Sequence, residues 1–415
     1  MGTVDELIRQ LQSGNNDERR KAAIELGKLG DSVAVPALLQ TADDSDEDSE
    51  VRIAAVWAVG QIGDLNAVPA LLDTYLIAPN RLAEKILYTI GEILSRTSSD
   101  DDNSREVFSQ AVDTLIGIVS DDWTSEEVRV AAAKALGKSR DPKAIPVLTR
   151  HLHEYQPIEV AKAAAFALRH FDDPQAIHAL AKAAINTGFV REVRETAVES
   201  LGDIGNPEVV DTLISILEDQ SVDNYIRAEA ARALGRIGNP KAIEPLIRTM
   251  ENETGWEVGT LFTAIVEALG AFRDPRVTDA LVRALSYDYQ SARTAAETLK
   301  KHRDRRAVEP LIRILDDDAA RHGTHTRRLA AEILGVLGDP RAIPALAKAL
   351  REEDCGLHIL QLFCEEIRKA ASKSLLAFVP AHPDAILRLP PDDRHRLGRQ
   401  IHDTERNELA QKLCK

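Results

Sequence analysis

Residues 227–247 read RAEAARALGRIGNPKAIEPLI. Ala, Leu and Ile recur every three to four positions, the spacing of one apolar helical face. Gly238, Asn239 and Pro240 interrupt it. Pro is tolerated in the first turn of the next helix, where its missing N–H would be unpaired anyway. The segment therefore reads as helix, tight turn, helix.

The same phrase recurs along the chain, for example as AAIELGKLGDSVAVPALL at 22–39 and AAEILGVLGDPRAIPALA at 330–347. The glycine of its Leu-Gly pair, or the replacement, occupies Gly27, Gly60, Gly91, Gly137, Arg169, Gly202, Gly235, Gly270, Lys300 and Gly335. The steps lie near 33 residues, apart from one of 46 between Gly91 and Gly137. A fixed period of this size marks a repeat array. Each unit reads as a first helix after Asp/Asn-Pro, a loop, and a second helix. The second helix opens on a pair such as Val51-Arg52, Val128-Arg129, Val193-Arg194 or Ile226-Arg227. The Leu-Gly glycine falls near its C-terminus, where a left-handed residue costs little.

The pattern R-x-A-A-x-A-L-G-x-I-G-[DN]-P-x-A-[IV]-x-x-L resembles the short HEAT-like repeats of phycobilisome lyases, over roughly residues 18–380. The resemblance implies an all-α solenoid, a right-handed superhelix of about ten helix pairs whose second helices line the concave side. Residues 1–17 form an N-terminal cap, 18–380 the solenoid, and 381–415 a linker and a capping helix over 392–413 after Pro390-Pro391. Terminal repeats must present a polar outer face. Two acidic runs, TADDSDEDSE at 41–50 and SRTSSDDDNSRE at 95–106, read as solvated loops, neither with a basic partner nearby in sequence.

Composition narrows the function. The 415 residues carry a net charge of -15 and only 4% aromatics. General nucleic-acid binders rest on basic excess, so nucleic acid is not expected. The balance is uneven, at -19 over residues 1–299 and +4 over 300–415, where seven of the 11 His and all three Cys lie. No run is apolar enough to span a membrane. The first residues, MGTVDELIRQLQ, lack a signal-peptide core, so a cytoplasmic protein is expected.

No phosphate-binding loop or nucleophile elbow is present. The one His-Glu pair, His153-Glu154, contrasts with the several that hold iron in HEAT-like deoxyhypusine hydroxylases. His322, His325, Cys355 and His358 are the candidate metal ligands, since imidazole and thiolate suit zinc or an iron–sulfur centre, but their spacing fits no strong template. Cys364, in an apolar run, reads as a buried structural thiol.

Three residues before each Leu-Gly glycine, the second helix should face the groove. That position holds Trp57, Tyr88, Lys134, Phe166 and Arg232 among others; one residue beyond the glycine, His170 and Arg236 join them. Rigidly mounted aromatics are typical binding anchors. They can equally fill gaps left by Ala or Gly in the next repeat. Trp123 and Trp256 read as local plugs in loops.

Three functions remain. One is a non-enzymatic scaffold holding a protein or extended peptide in the groove, with no cofactor. A second, implied by the resemblance, is a bilin lyase or lyase subunit handling an open-chain tetrapyrrole. The third is an accessory factor for metal or iron–sulfur handling. Partner and oligomeric state are not legible.

Overall fold

The computed structural model describes residues 3–97, 102–153, 155–253, 259–317, 323–350, 358–378 and 381–402. Among them there is no strand. The chain divides into two compact units, residues 1–212 and 213–415.

The N-terminal unit runs α1 (Val4–Ser13), α2 (Asn16–Leu29), α3 (Val35–Asp43), α4 (Ser49–Ile62), α5 (Val68–Ile77) and α6 (Asn80–Arg96). It continues through α7 (Asp102–Ser120), α8 (Glu126–Ser139), α9 (Ala144–His151), α10 (Ile158–Leu168), α11 (Pro174–Ile185) and α12 (Arg191–Ile204). The division falls within α13 (Pro207–Glu218). The C-terminal unit continues with α14 (Asn224–Ile237), α15 (Ile243–Asn252), α16 (Gly259–Leu269), α17 (Pro275–Ala284), α18 (Tyr289–His302) and α19 (Val308–Asp316). It ends with α20 (Thr324–Leu337), α21 (Ile343–Ala349), α22 (His358–Phe378), α23 (Pro383–Leu387) and α24 (Pro391–His402).

Within each unit the second helices stack on one another, α2 on α4, α4 on α6, α6 on α8, and α14 on α16 through to α22. First helices stack beside them, α3 on α5, α5 on α7, and α15 on α17. Each unit is thus two helical layers with the core between them, the arrangement expected of an α-solenoid.

The recurring turn has a clear mechanism. Asp31, Asp64, Asn239 and Asp339 each accept a hydrogen bond from the backbone N–H two residues on, capping the helical turn that follows. The residue just before is left-handed at Gly30, Gly63, Gly205, Gly238 and Gly338. The left-handed position is therefore this glycine and not the Leu-Gly glycine, contrary to the sequence expectation.

The Leu-Gly glycine serves a different end. It is helical, and it faces the next second helix at close range. A Cβ on Gly235 would stand 2.6 Å from Ala268 Cα, and one on Gly137 2.7 Å from Ala167 Cα. Those are backbone atoms that cannot swing aside. The missing methyl sets how tightly second helices stack.

Near the start of the second helix, the arginine that follows Val51, Val128, Val193, Ile226 or Thr326 is buried. The Nε atoms of Arg52, Arg194, Arg227 and Arg327 donate to the carbonyls of Ala42, Ala184, Leu217 and Leu315 at 2.8–3.2 Å. Each acceptor is the penultimate residue of the preceding first helix. These carbonyls have no partner within their own helix and sit at its negative pole. In these four repeats an arginine therefore ties the two helices of a pair together.

The acidic runs are less loop-like than expected. Of residues 95–106, Ser95 and Arg96 end α6 and Asp102 onward lie in α7, with 98–101 outside the described residues. The 46-residue step thus includes an unusually long first helix. In 41–50, Glu47 pairs with Arg19 at 2.8 Å and Glu50 with Arg81. The basic partners absent from the local sequence come from neighbouring repeats. At the other end, Leu397 of α24 is fully buried, and residues beyond 402 lie outside the described residues.

Candidate functional site: the second-helix face

The position three before the Leu-Gly glycine is solvent-facing in every repeat. None of the side chains from Ile24 to Glu332 in that series is buried. The reason is the 3.6-residue period: the alternating Ala and Leu of α4, α6, α8 and α10 turn toward the first helices, which leaves this position on the opposite side.

Trp57 is 38% exposed, Tyr88 53% and Phe166 37%. Trp57 and Tyr88 come together. With Ile24 and Ile53 they line a cavity of about 370 Å³ across α2, α4 and α6, its rim polar at Arg20, Glu50 and Lys85. A Cβ on Gly27 would lie 3.0 Å from Trp57 Cζ3. The indole thus rests one edge in the space that Gly27 leaves and offers the rest to solvent, so it both packs and presents.

Tyr88 borders a second cavity, of about 210 Å³, with Val130, Lys134 and Lys138. Lys138 Nζ stands 3.9 Å from the Tyr88 ring centroid, a cation–π contact. The same ammonium pairs with Glu92, and this hydrogen bond holds the Glu92 carboxyl below its ordinary value. Lys134 is exposed.

Phe166 borders neither cavity. Arg169 lies over its ring at 4.4 Å, and His170 meets it edge-on at 6.3 Å between centroids. Burial, and then the charges of Arg140, Arg169 and Lys138, push the His170 imidazole below its ordinary value of 6.5. Arg232 and Arg236 belong to the C-terminal unit. Arg232 is engaged by Glu229 and by Glu267 at 3.3 Å, while Arg236 is exposed.

Of the metal candidates, His322 and Cys355 lie outside the described residues, as does the side chain of His358. Thr324–Thr326 open α20. His325 packs on Tyr289 at 4.7 Å between centroids, with Arg328 Nη2 3.3 Å from its Nδ1. Burial, then Arg328, push its imidazole down. His153 is a turn residue whose Nδ1 accepts from the Tyr155 backbone N–H at 3.2 Å; Glu154 lies outside the described residues.

Sequence reasoning missed an apolar edge. Leu76 and Ile77 end α5 and are exposed, and Trp123 in the α7–α8 turn is 98% exposed. It is no plug, contrary to expectation: its ring stands in solvent, while its backbone N–H donates to Asp121 Oδ1 at 3.0 Å. An Asp two residues before an aromatic in a turn is the one signal that was available. Trp256 lies outside the described residues.

Two-layer stacks of helix pairs with a capped turn between repeats define an α-solenoid. The HEAT-repeat model matches the chain at 4–91, 85–169, 152–224, 189–263, 220–293 and 286–356, and the protein belongs to that family. No curated relative matches the sequence. Among solved structures, yeast importin-β (Kap95p) bound to RanGDP is 14% identical, with 96% of this chain aligned to 55% of that one at a TM-score of 0.52. The CpcE–CpcF phycocyanin lyase of Nostoc sp. PCC7120 is 22% identical, with 63% of this chain aligned to 95% of that one at 0.35. Human deoxyhypusine hydroxylase is 20% identical, with 67% aligned to 99% at 0.30. The importin-β likeness shows the fold alone. Among the described residues, no helix is long and apolar enough to cross a membrane.

Proposed function

We propose that the protein is a non-enzymatic interaction scaffold whose N-terminal unit holds a protein or extended peptide across Trp57 and Tyr88. The Trp57–Tyr88 cavity carries this reading. Two half-exposed rings and two isoleucines form an apolar floor inside a charged rim. Large aromatics on a rigid support lose little freedom on binding and dominate interface energetics. The fold likeness to Kap95p, solved in complexes with RanGDP and with Nup1, supports a binding role for stacked repeats of this kind.

Affinity capture with full-length protein, followed by mass spectrometry, supplies the partner. Trp57→Ala with Tyr88→Ala should then weaken its binding by about a hundredfold or more, as for two anchor residues, with the helical circular dichroism unchanged. Trp123→Ser is the contrast. If it abolishes binding while the groove variant retains it, the turn edge is the interface and the groove assignment fails. Adding an open-chain tetrapyrrole should leave the visible spectrum of the pigment unchanged.

A further inference from the structure

The C-terminal unit holds a cleft of opposite character. The end of α18, the middle of α20 and the inner face of α22 enclose about 590 Å³. Five cations line it, Lys300, Arg303, Arg328, Lys369 and Lys373, against two carboxylates, Glu332 and Glu366, an excess of three positive charges. Glu332 is already held by Lys300 at 2.9 Å and by Arg328, and Glu366 by Arg328 at 3.6 Å. Both carboxylates are therefore already paired with cations of α18 and α20.

The floor is small and apolar, formed by Val336, Ala370 and Ala377. The Ser374 hydroxyl donates to the Ala331 carbonyl at 2.8 Å, so its hydrogen bond is made within the protein.

Helix dipoles account for only part of this charge. Lys300 and Arg303 complement the C-terminal pole of α18. Arg328 stands in the second turn of α20, toward its positive pole, and Lys369 and Lys373 lie inside α22. The last two stand at i,i+4, where like charges repel. Cations from three helices gathered in one concavity focus a positive field on a chain that carries -15 in total.

We infer that this cleft docks an acidic segment of a partner protein, with one apolar side chain on the Val336 floor and flanking carboxylates on Arg303 and Lys373. A peptide fits better than a nucleic acid. Among the described residues no aromatic side chain lines the cleft for base stacking, and Glu332 and Glu366 would repel a continuous run of phosphates. The inference deepens the scaffold reading and rests on it for the partner being a protein. Its seat and chemistry differ from those of the aromatic groove, so either can fail alone.

The probe is a fluorescein-labelled heptapeptide of Asp and Glu with a central Leu, read by anisotropy on full-length protein at about 50 mM and about 300 mM salt. Binding should saturate and weaken at the higher salt. Arg303→Glu with Lys373→Glu should lower affinity at least tenfold, while Trp57→Ala with Tyr88→Ala leaves it unchanged. Should that charge-reversed pair unfold the unit, Arg303→Gly with Lys373→Gln removes the same two charges and relaxes a left-handed arginine. It should still weaken the peptide severalfold. Absent binding, or binding indifferent to these cleft substitutions, overturns the proposal. So does a single-stranded DNA heptamer that binds more tightly and displaces the peptide. A failed heptapeptide beside an intact Trp57–Tyr88 partner result would sink the cleft and spare the groove; the reverse result would do the opposite.

Discussion

Two arginines occupy the left-handed C-cap that other repeats give to glycine. Arg140 has φ of 55° and Arg303 of 52°. A side chain there costs roughly 1–2 kcal/mol, partly offset by the extra freedom glycine has in the unfolded chain. Arg303→Gly should therefore stabilise the protein by about 0.5–1 kcal/mol in thermal or urea unfolding; unchanged or reduced stability would mean the guanidinium contributes more than the strain costs. His170 makes a pH prediction. Its folded-state pKa is depressed, so the folded chain binds this proton less readily than the unfolded chain does. The neutral ring's contribution is fully present above 6.5 and is lost as pH falls through the lower folded value. An NMR titration should find the His170 resonances shifting below pH 6.5, and His170→Gln should flatten the acid limb of the stability curve.

At the scale of helices, the glycines divide by what they face. Gly235→Ala drives a methyl to 2.6 Å from Ala268 Cα, so α14 or α16 must shift. Overpacking of that kind costs about 1–3 kcal/mol and exceeds the helix-propensity gain of about 1 kcal/mol. Gly117, exposed in α7, has nothing within 4 Å of a built Cβ. Gly117→Ala should stabilise by about 0.5–1 kcal/mol. Opposite signs for the same substitution are the outcome to look for in chemical denaturation. The arginine tie is the second lever. Arg227 is buried against the Leu217 carbonyl, Asn224 and Glu253. Arg227→Met leaves a partly buried carboxylate and a helix-end carbonyl without their donor, at a cost of about 3 kcal/mol.

At the scale of the whole molecule, repeats within each unit pack on their neighbours, so damage should stay local. Leu136 is fully buried in α8, which packs on α6, α7 and α10. Leu136→Ala should cost about 2–5 kcal/mol. Hydrogen exchange should rise in α6–α10 and stay unchanged in α16–α20; a uniform rise would show that the chain unfolds as one cooperative body. Charge is also segregated at this scale, -19 before residue 300 and +4 after it. The structure gathers part of that C-terminal excess into one cleft, where charge counts alone could not place it.

The residues themselves determined the repeat, the helix pairs, the capped Asp/Asn-Pro turn and the exposed series through Trp57, Tyr88 and Phe166. These are local matters: helical period, turn chemistry and capping act over a few positions, so the chain spells them out. What lay beyond that reach needed tertiary structure. The Leu-Gly glycine proved to be a spacer because its role depends on a backbone about 30 residues away. Arg52 and Arg227 became inter-helix ties because their acceptors end the preceding helix. Trp57 and Tyr88 share a cavity while Phe166 does not, and Lys300, Arg328 and Lys373 meet in one cleft. Both facts follow from how successive helices stack. That stacking depends on which atoms meet between repeats, and a period in the sequence records only that repeats exist.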